Sequence, residues 1–516
     1  HAADKANQTP FLVFMHARYD QYYIENLSAL REWSSGEETI YTRKLLIVDE
    51  APNLMKVSKL STSVIAACEG MISTYKPSYE LSWDKPKQTL LSTLNYSLRI
   101  PFQKLLRQYK ANGSRIAMAT SDDFNAAAFD WSKLDPFCDQ LEHYAGPRSD
   151  EIIETVSVLS KQPAAYQIGQ EHELTVPHCR PFDIRDDLRT FILSGSAFLS
   201  PELYENPEVD IPSADVQESY QRLTIHVQRS DTRFSVSKTA MANKTTRNVL
   251  TVWLKNKLSG MAGHQVLVVT YKGYAKELWD ALSEFHDRLI PLQADDNSGP
   301  KESLPYFGGM NGSNRYNEAD CVICAGLGRF DSEEYFNRAL AFDFDGSAWG
   351  EFEQACLDPS FRNTDDLACV QKMRNLTMAR DLVQLVFRST LRNHGGKEPV
   401  SLWLIQPPEE VVMHVRESFR DCQHDEISEL PFECLSELAA GRTFQGKPTH
   451  ASKLLKWLAD WDGSPILIAE VQGQLGMKPG QWKEARKNAA VKEAFKHIET
   501  DGSGKNCKIK RSENVE

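Results

Sequence analysis

The chain has 516 residues, 41% of them hydrophobic and 25% charged, which is too long for one hydrophobic core and fits a soluble globular protein of about three or four domains. A formal net charge of −12 excludes a protein that coats nucleic acid with its whole surface. No apolar run reaches the length of about eighteen residues that marks a membrane span, and no basic-then-apolar signal segment opens the chain. The ten cysteines lack the tight repeated spacing of a disulfide scaffold, so a reducing, cytoplasmic compartment and no membrane partner are expected. The first residue is His1 rather than Met, and we expect a fragment of a longer protein.

Thr9 to Arg18 contains the apolar run PFLVFM and reads as a buried parallel strand, followed by a helix-like segment over Tyr22 to Trp33. Lys44 to Leu54, KLLIVDEAPNL, gives a second buried strand, Leu45 to Val48, that ends on Asp49 and Glu50. In an open α/β sheet that end is where ligands bind. There an aspartate can hold Mg²⁺ while the adjacent glutamate polarises a water for attack on a γ-phosphate. A strand running into a solvated acidic turn would carry the same residues. No G-x-x-x-x-G-K-[ST] phosphate loop occurs in the sequence: Gly395-Gly396-Lys397 is followed by Glu398 and lacks the first glycine.

From Ser61 to Val176 the pattern turns to helical periodicity, clearest over Leu90 to Tyr109, and closes on a β-like stretch near Tyr166 to Val176. We read it as an insertion. Thr190 to Ala197, TFILSGSA, is an apolar strand ending in small residues that let the backbone turn tightly, where Ser194 and Ser196 can hydrogen-bond across to neighbouring strand ends. A second α/β unit begins near Arg247, with a helix over Val249 to Lys257, a strand over Gln265 to Thr270, and a helix through Leu282. The glycine-rich stretch from Leu304 includes Gly312-Ser313-Asn314, then a short helix and the strand Cys321 to Ala325. Its glycines permit close backbone approach to a phosphate or a nucleic-acid backbone, and ordinary loops share that composition. Cys321 and Cys324 form a C-x-x-C whose offset within a strand points the thiols to opposite faces, against a shared metal.

Met373 to Arg392 has helical spacing that puts Gln384, Arg388 and Arg392 on nearly one face, flanked by apolar residues. Such arginines suit the charge that builds on a transferring phosphoryl group. The strand Ser401 to Ile405 follows. In the tail, Val471 to Ser512 holds ten Lys/Arg against four Asp/Glu, an asymmetry that points to an anionic partner. Helices over Ser464 to Leu475 and Gln481 to Ile498, a turn at Gly476 to Gly480 and a basic strand over Asn506 to Lys510 resemble a winged helix-turn-helix. In such a module Gln481, Lys483, Arg486 and Lys487 would face a DNA groove and Lys505 to Arg511 the wing, whereas a solvated basic helical cap has the same composition.

Taken in order, DEAP (Asp49 to Pro52), SGSA (Ser194 to Ala197), VLVVTYK (Val266 to Lys272), GMNGSNRYNEADCVICAGLG (Gly309 to Gly328) and QLVFRSTLR (Gln384 to Arg392) resemble motifs II to VI of superfamily 2 (DEAD/DEAH-type) helicases, in the helicase-like proteins of phages and mobile elements. The resemblance covers residues 9–410 apart from the insertion. It implies an α/β fold of two RecA-like lobes with parallel sheets, a mainly helical insertion in the first lobe and a C-terminal winged-helix-like domain. Residues 1–60 and 177–240 would form the first lobe, 61–176 the insertion, 241–420 the second lobe and 421–516 a helical linker with the DNA-binding domain. ATP and Mg²⁺ would be the cofactors, with a single DNA strand across the lobes and duplex at the C-terminal domain.

The resemblance further implies that Asp49 coordinates Mg²⁺, Glu50 activates water, and Ser194 and Ser196 couple hydrolysis to movement. Gly312 and Asn314 would sense nucleotide or strand; Thr270, Lys272 and Ser313 would contact the strand; Gln384, Arg388 and Arg392 would meet the γ-phosphate. Three features depart from the family pattern: Pro52 ends motif II, the motif VI arginines are four apart, and motif I is absent. The leading expectation is an ATP-dependent DNA helicase or translocase. A non-catalytic helicase-like DNA-binding scaffold is the alternative, and a metal-dependent phosphohydrolase using Asp49 and Glu50 a third.

Overall fold

The computed structural model describes residues 32–34, 40–42, 45–49, 54–61, 116–119, 164–168, 172–179, 189–194, 196–211, 219–229, 234–293, 300–310, 315–358, 360–361, 363–393, 395–431, 434–435, 443–444, 447–502 and 507–511. The chain divides into two compact units, His1–Ser213 with Phe330–Thr377, and Ala214–Arg329 with Met378–Glu516.

In the first unit, β1 (Glu32–Ser34) pairs antiparallel with β2 (Ile40–Thr42), so a strand stands where the helix-like segment from Tyr22 was expected to end. The rest of that segment, the strand expected from Thr9 and the helix over Leu90 to Tyr109 lie outside the described residues. β3 (Leu45–Asp49) is the expected strand. Met55–Ser61 (β4), Ile116–Ala119 (β5), Ala164–Ile168 (β6) and His172–Cys179 (β7) form an antiparallel sheet in the order β4-β7-β6-β5, and β8 (Arg189–Leu193) pairs parallel with β3. The β6–β7 hairpin falls on the β-like stretch of the sequence.

Leu45 to Val48 does not form the fully buried strand expected. Ile47 faces Phe191 across the ladder, and both are exposed together with Leu193, two residues further on the same side. Ile192, on the opposite side, packs against a core built on Tyr335, Phe336 and Phe352 from the helices Ser332–Ala341 and Ser347–Leu357. Among the described residues the pair is therefore covered on one face, whereas a run of apolar residues reads as covered on both.

The second unit is α/β, with a five-stranded, all-parallel sheet. Its strands are β9 (Leu223–Gln228), β10 (Val266–Val269), β11 (Cys321–Cys324), β12 (Val400–Ile405) and β13 (Gln423–Ile427), in the order β10-β11-β12-β9-β13. Every residue of β10 and β11 is buried, as continuous VLVV and CVIC runs require of central parallel strands. Val266, Val268, Cys321, Ile323, Trp403 and Ile405 share one apolar cluster, so alternation sends Val269, Val322 and Cys324 to the other face. Burial pushes the Cys324 thiol up to about 12 and raises that of Cys321 as well, which leaves both as inert packing groups.

Helix α1 (Lys244–Ser259) covers the first face. Asn243 caps it by accepting from Thr245 N–H at 2.9 Å, Gly260 ends it, and Val249, Leu250, Trp253, Leu254 and Leu258 make a buried stripe at helical spacing. Gln228, fully buried at the end of β9, ties this helix to the sheet edge. Its amide donates to the carbonyls of Arg229, Ile427 and Glu429 at 3.1, 2.9 and 2.9 Å, and its oxygen accepts from the Trp253 indole at 3.1 Å. Helix α2 (Ala275–Ala281) packs beside α1, joined to it by Arg247 and Glu277 at 2.9 Å. α3 (Ala368–Val386) precedes β12, and α4 (Glu409–Ser418) links β12 to β13.

The same apolar cluster continues into the C-terminal segment. There α5 (His450–Asp460) is followed by β14 (Ile466–Leu467), α6 (Ile468–Leu475), α7 (Pro479–Arg486), α8 (Ala489–Ala494), β15 (Ile498–Asp501) and β16 (Lys508–Arg511), with an antiparallel sheet in the order β14-β16-β15. Gly476, at φ +62°, ends α6 in the left-handed conformation that glycine adopts without cost. The single long helix expected from Gln481 to Ile498 is two short ones, since α7 stops at Arg486 and the chain resumes helix only at Ala489. Among the described residues no helix is long and apolar enough to cross a membrane.

Candidate functional site

The helix expected to carry Gln384, Arg388 and Arg392 on one face ends at Val386. Arg388 and Ser389 donate their N–H groups to the carbonyls of Leu385 and Val386, three residues back, so the last turn tightens. Ser389 then turns extended, at φ −80° and ψ −175°. Its buried hydroxyl donates to the Val386 carbonyl and accepts from Leu391 N–H at 3.2 Å, which caps the following single turn, Thr390–Arg392. That internal serine divides the stripe: Gln384 is helical, Arg388 sits in the tightened turn, and Arg392 is exposed beyond it.

Gln384 and Arg388 still meet. Together with Asp381 and Leu385 they form one wall of a cleft of about 60 Å³. Val269 at the end of β10 and Tyr306, Phe307, Gly308 and Met310 form the other. Val269 points away from the α1 side, whereas Tyr306 and Phe307 pack against the apolar cluster on that side, so the cleft sits at the carboxyl end of β10. A guanidinium and an amide side by side offer several donors to an oxyanion, and the Asp381 carboxylate places one negative charge in the same wall. Arg392 does not line the cleft. Its turn is instead fixed from the residue just before β9, where Nη2 of Arg222 donates to the carbonyls of Thr390, Leu391 and Asn393 at 2.8, 2.8 and 2.7 Å.

The glycines around this cleft serve aromatic packing. A Cβ on Gly309 would lie 2.4 Å from the Tyr306 ring, and one on Gly326, at φ +125°, would lie 2.7 Å from the Tyr271 ring. The Phe307 ring packs on Gly328, where a Cβ would meet it at 3.4 Å. Tyr271 and Phe307 are themselves in tilted contact, with centroids 5.7 Å apart, and the Tyr271 hydroxyl accepts from Leu327 N–H at 3.3 Å. Burial raises the Tyr271 phenol above its ordinary range, which keeps it neutral. Glycine here lets rings lie flat on the backbone.

Thr270 is buried, and its hydroxyl donates to the Ala325 carbonyl at 3.2 Å, tying β10 to β11. Lys272 is exposed, with its ammonium 5.8 Å from the centroid of the Tyr306 ring. Asp49 closes β3 opposite Leu193, while Glu50, Gly312, Ser313 and Asn314 lie outside the described residues. The chain turns after β8 as expected, and the bonds at its serines are local where bonds to neighbouring strand ends were expected: Ser196 N–H donates to Ser194 Oγ at 3.4 Å, and the Ser196 carbonyl accepts from Leu199 N–H at 2.9 Å. In α7, Trp482 and Ala485 are buried, while Lys483, Arg486 and Lys487 are exposed. Gln481 is half-buried and accepts from Lys478 N–H at 2.9 Å.

Asp381, Tyr306, Phe307 and Met310 went unnoticed in the sequence. The signal for Asp381 was its place three residues before Gln384 on the same helical face. The aromatic pair gave only the run LPYFGG, in which two rings precede two glycines. Among the described residues no group of three or more His, Cys, Asp or Glu side chains is placed to hold a metal ion. No protein-family model matches the chain, and no curated protein matches it in sequence.

Proposed function

We propose that the chain is the working part of an ATP-dependent DNA helicase or translocase, with two RecA-like lobes and a winged-helix module for duplex docking. The observation that carries this reading is the meeting of Gln384 and Arg388 in one cleft beside a five-stranded parallel sheet. Arg388, half-buried, supplies the fixed positive charge a γ-phosphate needs as its bond breaks, and Gln384 a neutral donor beside it. The Asp381 carboxylate disfavours a bare polyanion and favours a nucleotide that arrives with Mg²⁺. Asp49 would hold that ion, Glu50 would activate the attacking water, and Arg392 serves outside the cleft. In the C-terminal segment, the succession of helix, strand, three helices and a two-stranded ribbon supports the winged-helix assignment.

The test is ATP turnover with and without single-stranded DNA, measured on this chain. Turnover should rise with the strand and fall at least a hundredfold in Glu50→Gln and in Arg388→Ala. Equal rates in wild type and both variants would refute the assignment. A second reading, a non-catalytic DNA-binding scaffold, is favoured by the lack of a G-K-[ST] loop in the 516 residues. Duplex binding without turnover would select it.

A further inference from the structure

We propose that Arg222 is a positioning residue for Arg388, holding the chain beyond α3 so that the Arg388 guanidinium stays in the cleft; this rests on the reading of that cleft as the nucleotide site. α3 ends at Val386, and the bonds that follow it are local, from Arg388 N–H to the Leu385 carbonyl and from Leu391 N–H to the Ser389 hydroxyl. Such bonds close a helix end, which frays unless something ties it down. The tie comes from Tyr220 and Arg222, just before β9. The Tyr220 ring meets that of Phe387 edge-on, with centroids 5.9 Å apart, and Nη2 of Arg222 gathers the carbonyls of Thr390, Leu391 and Asn393 within 2.8 Å. Arg388 therefore lies between two places, Phe387 and Thr390, that one short segment grips. The segment is itself fixed: the Tyr220 ring also packs edge-on against the buried Phe419, and the Arg222 carbonyl accepts from Val400 N–H at 2.8 Å at the start of β12.

Three carbonyl oxygens converging on one point repel one another unless a cation stands there. Nη1 donates to a fourth carbonyl, that of Glu398, at 3.3 Å. Gly396 makes room for the guanidinium, since a Cβ there would lie 2.8 Å from Nη1 and 3.1 Å from the Asn393 carbonyl oxygen. In the Gly395-Gly396-Lys397 run, the nearest approach to a phosphate loop in the sequence, the second glycine thus receives an arginine of the same chain. Thr390 N–H also donates to the Ala319 carbonyl, at 2.8 Å, so loss of Arg222 loosens the turn without releasing it. A misplacement of about 1 Å at a group that acts in the transition state is enough to cost about 100-fold in rate.

The experiment is steady-state ATP turnover in the presence of single-stranded DNA by the wild type, Arg222→Ala, Arg222→Lys and Gly396→Ala. Arg222→Ala should lower kcat about 10–100-fold and leave KM for ATP within about threefold, because the alignment of Arg388 matters once charge builds on the phosphate. Millimolar guanidinium chloride should raise the kcat of that variant at least about fivefold over sodium chloride at equal ionic strength, and leave the wild type unchanged. Arg222→Lys, with three donors on one nitrogen, should retain more of kcat than Arg222→Ala. Gly396→Ala keeps the arginine and carries the test if Arg222→Ala unfolds: it should lower kcat at constant KM. Where the Arg222→Ala chain folds, adding Gly396→Ala to it should lower kcat by less than about a further threefold. Full kcat in Arg222→Ala or in Gly396→Ala, a loss confined to KM, or losses that multiply in the double variant would overturn the positioning role and leave the nucleotide reading intact. So would a deficit that neither guanidinium nor Arg222→Lys relieves. No turnover by the wild type, with or without the strand, removes both.

Discussion

Replacing Gly326 with alanine adds a Cβ that would lie 2.7, 2.8 and 2.9 Å from three atoms of the Tyr271 ring, on a backbone at φ +125°. The backbone contribution alone, for a non-glycine residue held in that region, is about 1–3 kcal/mol. The steric contribution depends on whether the ring can leave. Tyr271 is buried, its hydroxyl accepts from Leu327 N–H, and Phe307 lies against it, so relief requires three groups to shift, at about 1–3 kcal/mol. The expected loss is about 4 kcal/mol. Gly263→Ala is the control, since φ there is +85° and nothing lies within 4 Å of the added Cβ; it should lose only about 1–2 kcal/mol. Amide hydrogen exchange in β10 and β11 measures both values in the unit that carries the sheet, independently of the rest of the chain. In a Tyr271→Ala background the Gly326→Ala loss should shrink, with a coupling energy of about 1–3 kcal/mol. A single-variant loss under about 1 kcal/mol, or a coupling under about 0.5 kcal/mol, would show that the ring yields freely and would refute the assignment of these glycines to aromatic packing.

Gln228→Ala should cost about 3 kcal/mol in the same exchange measurement, because it strands the Trp253 indole and three edge carbonyls in the interior. A loss below about 1 kcal/mol would mean that water replaces the amide. His226 stacks on Trp403 with centroids 4.2 Å apart, and burial, opposed in part by Asp425, holds its imidazole below the ordinary value of 6.5. The unfolded chain therefore binds the proton more tightly, and stability should fall as pH drops through 6.5 toward the folded value. His226→Gln should flatten that limb of a urea-midpoint profile between about pH 7 and 5, and an unchanged limb would assign it to other groups. Finally, Arg388→Ala should lower DNA-stimulated ATP turnover by at least about a hundredfold, whereas Arg392→Ala, outside the cleft, should change it less than about tenfold. The reverse ranking would place the phosphate-contacting arginine on the exposed turn.

Three strands of the second unit's sheet were legible because they are short, uninterrupted apolar runs, VLVV, CVIC and the VSLWLI that ends before two prolines, whereas β9 (LTIHVQ) and β13 (QHDEI) carry interleaved polar residues and were not read as strands. Helix α1 was legible for the complementary reason, a stripe of large apolar residues at helical spacing. The end of α3 was not. The pattern through Phe387 and Leu391 remains helical, and only the capping role of Ser389, a residue common inside helices, turns the chain. The same limit applies to the site. Gln384 and Arg388 could be placed on a shared face from their spacing, but the far wall of the cleft comes from Tyr306 and Phe307, nearly eighty residues earlier in the chain. Glycines at 309, 326 and 328 look alike whether a phosphate or a tyrosine lies on them. In α7, the capping of Lys478 by Gln481 follows from local spacing, yet the amide was first assigned outward to DNA.

The position of β9 in the sheet sets a timetable for biosynthesis. Both strands that flank it, β12 and β13, are made after Leu391, so β9 leaves the ribosome roughly 170 residues ahead of its first partner. At about 5–20 residues per second that wait is on the order of 10–30 s, with Leu223, Ile225 and Val227 exposed on a strand whose two edges are both open. A nascent chain stalled anywhere short of Val400 carries a ready template for aggregation. The translation speed of that interval, and chaperone access to it, should govern the yield of the native protein more than any single contact in the finished sheet.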